Sequence, residues 1–232
     1  MSVAEVRPSA PRDPDLTGLP VGVPFPAAPA RPGWYRPAKR VVDVALALAI
    51  LVLSSPVMLA ATIGIVAVSG GNPFFRQDRV GLGGRRFRML KLRTMVRGAH
   101  DMLPGLRRFN EADGPVFKMR DDPRLHALGA FLRRTSIDEL PNFVNVLLGE
   151  MAIVGPRPPL PEEVAHYDGY ALRRLVVKPG VTCLWQISGR SQLSFDEWMA
   201  LDNAYIDAWS PWYDLAIVAK TIPAVLRGVG AH

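Results

Sequence analysis

The sequence predicts an α+β protein, mainly helical, of the monotopic membrane kind. It should hold one re-entrant helix broken at a Ser-Pro step, a small β-hairpin and interfacial amphipathic helices. Three observations carry this expectation. Residues Val41 to Val68 are almost wholly apolar, with Asp43 as their only charge. A basic stretch of alternating character follows, divided by Gly81-Leu82-Gly83-Gly84. Helical stretches then run to the end, the last two bearing Trp198, Trp209, Trp212 and Tyr213.

The elements follow in chain order. Residues 1–37 hold 9 of the 22 prolines of this 232-residue chain. Proline removes backbone donors and fixes φ, so this stretch reads as an extended, disordered tail. No continuous apolar region precedes residue 41, so it is no signal peptide. Residues 38–72 form the membrane segment. Twenty-five residues run from Val44 to Val68, more than the ~20 a bilayer-spanning helix needs. Ser54-Ser55-Pro56 sits in the middle, where proline costs a helical hydrogen bond and the serine hydroxyls can serve the freed carbonyls. Arg31, Arg36, Lys39 and Arg40 precede the segment, and Arg76, Arg79, Arg85, Arg86, Arg88 and Lys91 follow it. Cations on both flanks favour a helix that bends at Ser55 and Pro56 and leaves by the face it entered. A tilted span stays as the second form.

Residues 74–95 read as a β-hairpin turned by the glycines. Helices are expected near 96–110, 123–133, 138–148, 160–168, 195–208 and 212–227, with loops at Gly155–Pro161 and Lys178–Ser194. The aromatics of the last two helices suit either a headgroup layer or an ordinary core.

The charge balance is 28 Lys plus Arg against 21 Asp plus Glu, a formal net charge of +7. That suits nucleic acid, phosphorylated ligands or anionic lipid. The apolar run disfavours nucleic acid as a partner. Cys183 is the only cysteine, which excludes an internal disulfide framework and a cysteine zinc site. The four histidines have no ligand spacing. No Walker sequence occurs, and Arg86 stands where the dinucleotide pattern needs its third glycine. Asp13-Pro14-Asp15 resembles a nucleotide-sugar metal motif, but lies in the tail.

The densest stretch for chemistry is Arg133-Arg134-Thr135-Ser136-Ile137-Asp138-Glu139-Leu140-Pro141-Asn142. Ser136 and Glu139 have capping-box spacing. A helix starting at Ser136 would place Pro141 inside it, at the cost of a hydrogen bond. A start nearer Asp138 leaves two carboxylates at an electropositive helix end beside two arginines. One could attack phosphorus and the other hold Mg²⁺ against diphosphate oxygens. The spacing alone leaves both readings open. Gly155-Pro156-Arg157-Pro158-Pro159 stiffens a loop and could also present a guanidinium to phosphate. Lys91 and Arg93 share a strand face and could add phosphate contacts. Eight Lys and Arg between Arg76 and Arg97, against Asp78 alone, serve equally as anchors to anionic lipid.

Taken together, these stretches resemble the bacterial sugar transferase family, the monotopic polyprenyl-phosphate phosphoglycosyl transferases that initiate exopolysaccharide, capsule and O-antigen synthesis. The resemblance runs from Lys39 to about Ala231 through KRVVDVALA, the Ser-Pro step, FFRQDRVGLGGRRFRMLKLRTM, ADGPVFKMRDDPR, LRRTSIDELPNFVNVLLGEM, IVGPRPPLPEE, KPGVTCLWQISGRS and LDNAYIDAWSPWYDLAIVAKTI. Cys183 replaces a usual glycine and Ile137 a frequent leucine, both outside the carboxylate pair.

The resemblance implies a short catalytic form, with residues 73–232 as the catalytic domain. It makes Asp138 the nucleophile on a UDP-sugar, forming a phosphosugar-aspartyl intermediate and releasing UMP. Polyprenyl (undecaprenyl) phosphate would then take the sugar-1-phosphate. Glu139 becomes the principal Mg²⁺ ligand. Lys91, Arg133 and Arg157 surround the nucleotide diphosphate, with Arg93 beside Lys91. The implied location is the cytoplasmic face of the bacterial inner membrane. Residues Asn110–Arg124 point to a hexose donor, while the sugar itself and any homo-oligomer stay open.

Overall fold

The computed structural model describes residues 26–111, 113–117, 119–189 and 193–227. Residues 1–25, most of the proline-rich tail, lie outside the described residues, as does the Asp13-Pro14-Asp15 motif. The described end of the tail is tied down. Arg31 donates to the Ile206 carbonyl at 2.8 Å and the Asp207 carbonyl at 2.7 Å.

Helix α1 runs from Tyr35 to Ser69 with Pro56 inside it. The backbone stays helical across the step where the sequence predicted a break, and the reason is local. Pro56 has no N–H to offer the Val52 carbonyl, and the Ser55 hydroxyl donates to that carbonyl instead, at 2.8 Å. The Ser54 hydroxyl donates to Ile50 at 2.6 Å. Side-chain donors thus replace what proline removes. Among the described residues this is the one helix long and apolar enough to cross a membrane. Its middle is bare, with Leu53 79 % exposed.

Both ends of α1 are packed. Tyr35 and Ala47 join the main core, with Val146, Ile153, Tyr205 and Ile217. Ala61 and Ile65 join a second cluster with Leu92 and Leu132. Asp43, the lone charge in the apolar run, is buried. Its Oδ1 accepts the Ile153 N–H at 3.1 Å and lies 3.5 Å from the Lys39 ammonium. Lys39 also pairs with Asp214 at 2.7 Å.

Strands β1 (Phe74–Val80) and β2 (Arg86–Leu92) form the expected antiparallel hairpin, with Phe75 opposite Lys91. Helix α2 (Ala99–Leu106) and a 3-10 turn at Arg107–Phe109 replace the longer helix expected over 96–110. Helix α3 (Ala127–Arg134) comes next, then a 3-10 turn at Ile137–Glu139 and helix α4 (Asn142–Leu148). Strand β3 (Ala152–Val154) follows, with the short helices α5 (Pro161–Val164) and α6 (Gly169–Leu172) where one helix over 160–168 was expected.

The stretch read as a loop from residue 178 contains strand β4 (Gly180–Thr182), parallel to β3, and helix α7 (Leu184–Ile187). Three residues opening on glycine carry no alternation to read, and the long crossover hides their partner. Gly180 is required there, because a β-carbon on it would lie 2.1 Å from the Gly155 nitrogen. Helices α8 (Phe195–Ala208) and α9 (Pro211–Arg227) complete the described chain. Their aromatics divide between the core and the surface. Trp209 and Tyr205 are core residues, whereas Trp212 is 80 % exposed.

The Asp43 tie has a measurable weight. Asp43→Leu leaves the buried Ile153 N–H unpaired and should destabilise the protein by about 2 kcal/mol. Asp43→Asn keeps an acceptor and should lose less. Thermal unfolding in detergent distinguishes the two, and equal losses would refute the hydrogen-bond account.

Candidate active site

The chain leaves α3 through Ser136, the one described non-glycine residue with left-handed φ, at +57°. That conformation turns the backbone so that Asp138 and Glu139 occupy the 3-10 turn before α4, and Pro141 becomes the residue that caps α4. The conflict between Pro141 and a helix starting at Ser136 is thereby removed. The capping box is not formed: the Ser136 side chain caps nothing, and Glu139 reaches away to the Lys91 ammonium, 2.7 Å distant.

Asp138 is buried. Burial raises its carboxyl above the usual range, with Glu139 adding to the rise and Lys91 and Arg133 opposing it. Glu139 goes the other way. Burial would raise it too, but Lys91, Arg157 and Arg79 outweigh burial and hold it below the ordinary range. Two adjacent carboxylates are therefore driven apart in proton affinity by different neighbours, a pattern typical of sites with divided roles.

Arg133 lies on the Asp138 side, its Nε donating to Thr94 Oγ1 at 3.0 Å. Lys91, Glu139, Asn142 and Arg157 line one cleft with Met89, Met151, Gly180 and Val181. Arg93 is directed elsewhere. Its guanidinium donates to Ser69 Oγ at 2.8 Å and to the Gly70 carbonyl, closing the end of α1. Being two residues on from Lys91 put the two side chains on one strand face in the sequence reading. Strand β2 ends at Leu92, so that alternation stops before Arg93.

Arg157 is held by its own backbone. Its carbonyl accepts from Arg174 at 2.9 Å, the Pro158 carbonyl accepts from Arg79 at 2.8 Å, and the Pro159 carbonyl accepts from the Val80 N–H at 3.0 Å. The freed guanidinium lies 5.7 Å from the centre of the Trp185 ring. Arg174 is the post beneath this loop. It pairs with Asp202 at 2.7 Å with both side chains 1 % exposed, donates to Tyr167 Oη at 2.8 Å and lies 4.8 Å from the Trp198 ring centre. The loop is thus both stiff and cationic, so the two roles read from the sequence coincide. Burial and the like charge of Arg157 lower Arg79 to about 10.

Sequence reasoning missed Arg79 and Arg174 as supports of the loop, because the loop carbonyls they hold lie 79 and 17 residues away in the chain. It also missed Asn142, which is buried in the cleft wall with Oδ1 lacking a hydrogen-bond partner. Its position directly after Pro141 was the one available signal.

The arrangement can bind a polyanion against Lys91 and Arg157, with the buried Asp138 next in the chain to the cleft residue Glu139. The comparisons agree with that chemistry. The family model described as bacterial sugar transferase matches residues 34–228. The galactosyl transferase CpsE of Streptococcus agalactiae is 44 % identical over 195 residues, covering 84 % of this chain and 43 % of that protein. This chain therefore spans less than half of that relative. The exopolysaccharide production protein ExoY of Rhizobium meliloti is 40 % identical over 212 residues, covering 88 % of this chain and 94 % of ExoY. The UDP-glucose:undecaprenyl-phosphate glucose-1-phosphate transferase of Caulobacter vibrioides is 41 % identical over 207 residues, covering 84 % of this chain and 72 % of that protein. The chain belongs to the bacterial sugar transferase family.

Proposed function

We propose that the protein is a phosphoglycosyl transferase that moves a hexose-1-phosphate from a UDP-sugar to undecaprenyl phosphate and releases UMP, in exopolysaccharide-type synthesis. The observation that carries this reading is the placement of Asp138 beside the Glu139–Lys91 pair, with Arg133 and Arg157 around them and a bare apolar helix attached. The name of the Caulobacter relative supports the donor and acceptor classes.

In this reading the donor diphosphate lies against Lys91 and Arg157. An Asp138 oxygen attacks the β-phosphorus, and the bond to the UMP oxygen breaks. The phosphosugar is then an acyl phosphate on Asp138. An oxygen of undecaprenyl phosphate attacks the same phosphorus, and the aspartyl oxygen leaves as carboxylate. Lys91 and Arg157 stabilise the charge that develops on the phosphate oxygens.

Mg²⁺ fits the donor set as a shared ion. Among the described residues no three His, Cys, Asp or Glu side chains cluster to hold a metal. Mg²⁺ ordinarily takes one or two carboxylates and completes its shell with substrate phosphates and water. Glu139, kept below the ordinary range by its cations, would hold it, and it would neutralise diphosphate charge when bound.

Membrane topology belongs to the same reading. Both ends of α1 pack on one catalytic body: Asp43 and Lys39 at one end, and Ile65 against Leu92 and Leu132, with Arg93 on Ser69 and Gly70, at the other. A span would carry its ends to opposite faces of the bilayer, ~30 Å apart, whereas here both ends meet the same body. This supports a re-entrant helix, with the body at the cytoplasmic face of the inner membrane.

Three outcomes follow. Incubation with UDP-sugar and no acceptor should add one sugar-phosphate mass to the peptide carrying Asp138. Asp138→Asn should abolish that adduct and lower UMP release by at least about a thousandfold; unchanged release would refute the nucleophile. Glu139→Gln should raise the Mg²⁺ concentration needed for half-maximal rate by at least about tenfold, and an unchanged requirement would remove Glu139 as ligand. Cysteines introduced at positions 36 and 220 should both resist a membrane-impermeant reagent applied to intact cells. Labelling at position 36 alone would establish a span.

A further inference from the structure

Helix α4 has two ends with different surroundings. Asn142 opens it at the cleft, and Gly149 closes it with φ +84°. At the Gly149 end, Arg40 donates to the Val146 carbonyl and, at 2.8 Å, to the Leu147 carbonyl. A β-carbon placed on Gly149 would lie 3.5 Å from Arg40 Nη2 and 3.6 Å from Lys178 Nζ. The bare face of the glycine is therefore bordered by two cations. Arg40 and Lys178 form no ion pair with a carboxylate among the described residues. The buried Asp43 faces them, but it is engaged by Lys39 and the Ile153 N–H. Lys39 adds a third positive charge near Lys178.

Asp43 compensates Lys178 only in part: burial, followed by the like charge of Arg40, still lowers its proton affinity. An anion between them would relieve this. The surroundings indicate its source. Leu148, beside Gly149, is 69 % exposed, and so is Val41, next to Arg40 on α1. Trp34 and Trp212 are also exposed at this end of the molecule, near the Tyr35–Asp214 and Lys39–Asp214 contacts. Exposed aliphatic and tryptophan side chains around paired cations match the headgroup layer of a bilayer.

We propose that Arg40, Lys178 and the bare face of Gly149 form a niche for the phosphate of a membrane phospholipid, separate from the catalytic cleft. The niche lies at the far end of α4 from Asn142 and fixes the depth at which that helix meets the membrane. It requires no catalytic role for any of its residues.

The test uses the full chain in detergent, titrated with short-chain phosphatidylglycerol and followed by native mass spectrometry. Lys178→Gln should weaken binding about fivefold, the contribution of one lysine at an anionic surface. Arg36→Gln removes an equal charge from an exposed position at the same end of α1 and should change binding by less than about twofold. Lys178→Arg should retain binding, which separates a lost charge from a lost fold. Equal losses in the Lys178→Gln and Arg36→Gln variants would reduce the niche to general attraction and overturn it. Equal binding of a phosphate-free diacylglycerol would do the same. Displacement of the lipid by an equal concentration of inorganic phosphate would assign the niche to free anions and overturn the lipid.

Discussion

The hydrogen bond from the Ile153 N–H to Asp43 joins the membrane segment to the catalytic body. Asp43 is the only charge between Val41 and Val68, and burying a carboxylate is costly unless it is paired and hydrogen-bonded. Here it receives a backbone N–H and lies beside the Lys39 ammonium. The acceptor strand is β3, and the chain leaves β3 directly into Gly155-Pro156-Arg157. One buried carboxylate therefore sets the position of the apolar helix relative to the loop that carries a cleft cation. In the proposed reaction between a lipid phosphate and a soluble donor, that relative height decides whether the two substrates meet.

The rest of the site is an arrangement of cations whose burial is offset by backbone carbonyls and carboxylates. Arg79 and Arg174 are buried and spend their donors on the carbonyls of Pro158 and Arg157. Arg174 is balanced by Asp202. Such a buried pair is weak as a source of stability but expensive to break, and what it provides here is a fixed backbone under Arg157. Arg157 and Lys91, left with their charge facing the cleft, keep Glu139 ionised despite its burial. Asp138 has less compensation and keeps its proton more tightly. The difference between adjacent carboxylates arises from which cations surround each, a property of the packed loops.

Much of the architecture was legible along the chain. The apolar run, the glycine-turned hairpin and α8 are local patterns, and the structure places them where those patterns lie. Local reasoning failed where the decisive partner is distant in sequence. The one local exception is Ser55, read as a donor to the freed carbonyl, whose hydroxyl does more than expected and keeps the helix continuous through Pro56. Arg93 looked equivalent to Lys91, but the end of β2 turns it to the C-terminus of α1. Strand β4 exists because β3, across a long crossover, offers it an edge.

The sequence by itself determined the family, the apolar segment with its single charge, and the adjacency of Asp138 and Glu139. These depend on residue identity and order, which any fold of the chain must keep. Tertiary structure alone decided that Glu139 pairs with Lys91, that Arg157 is presented by a loop resting on Arg174, and that both ends of α1 meet one body. Each of those outcomes joins residues far apart in the chain. Burial and electrostatic compensation act through space, so they take their values only once packing has brought the partners together.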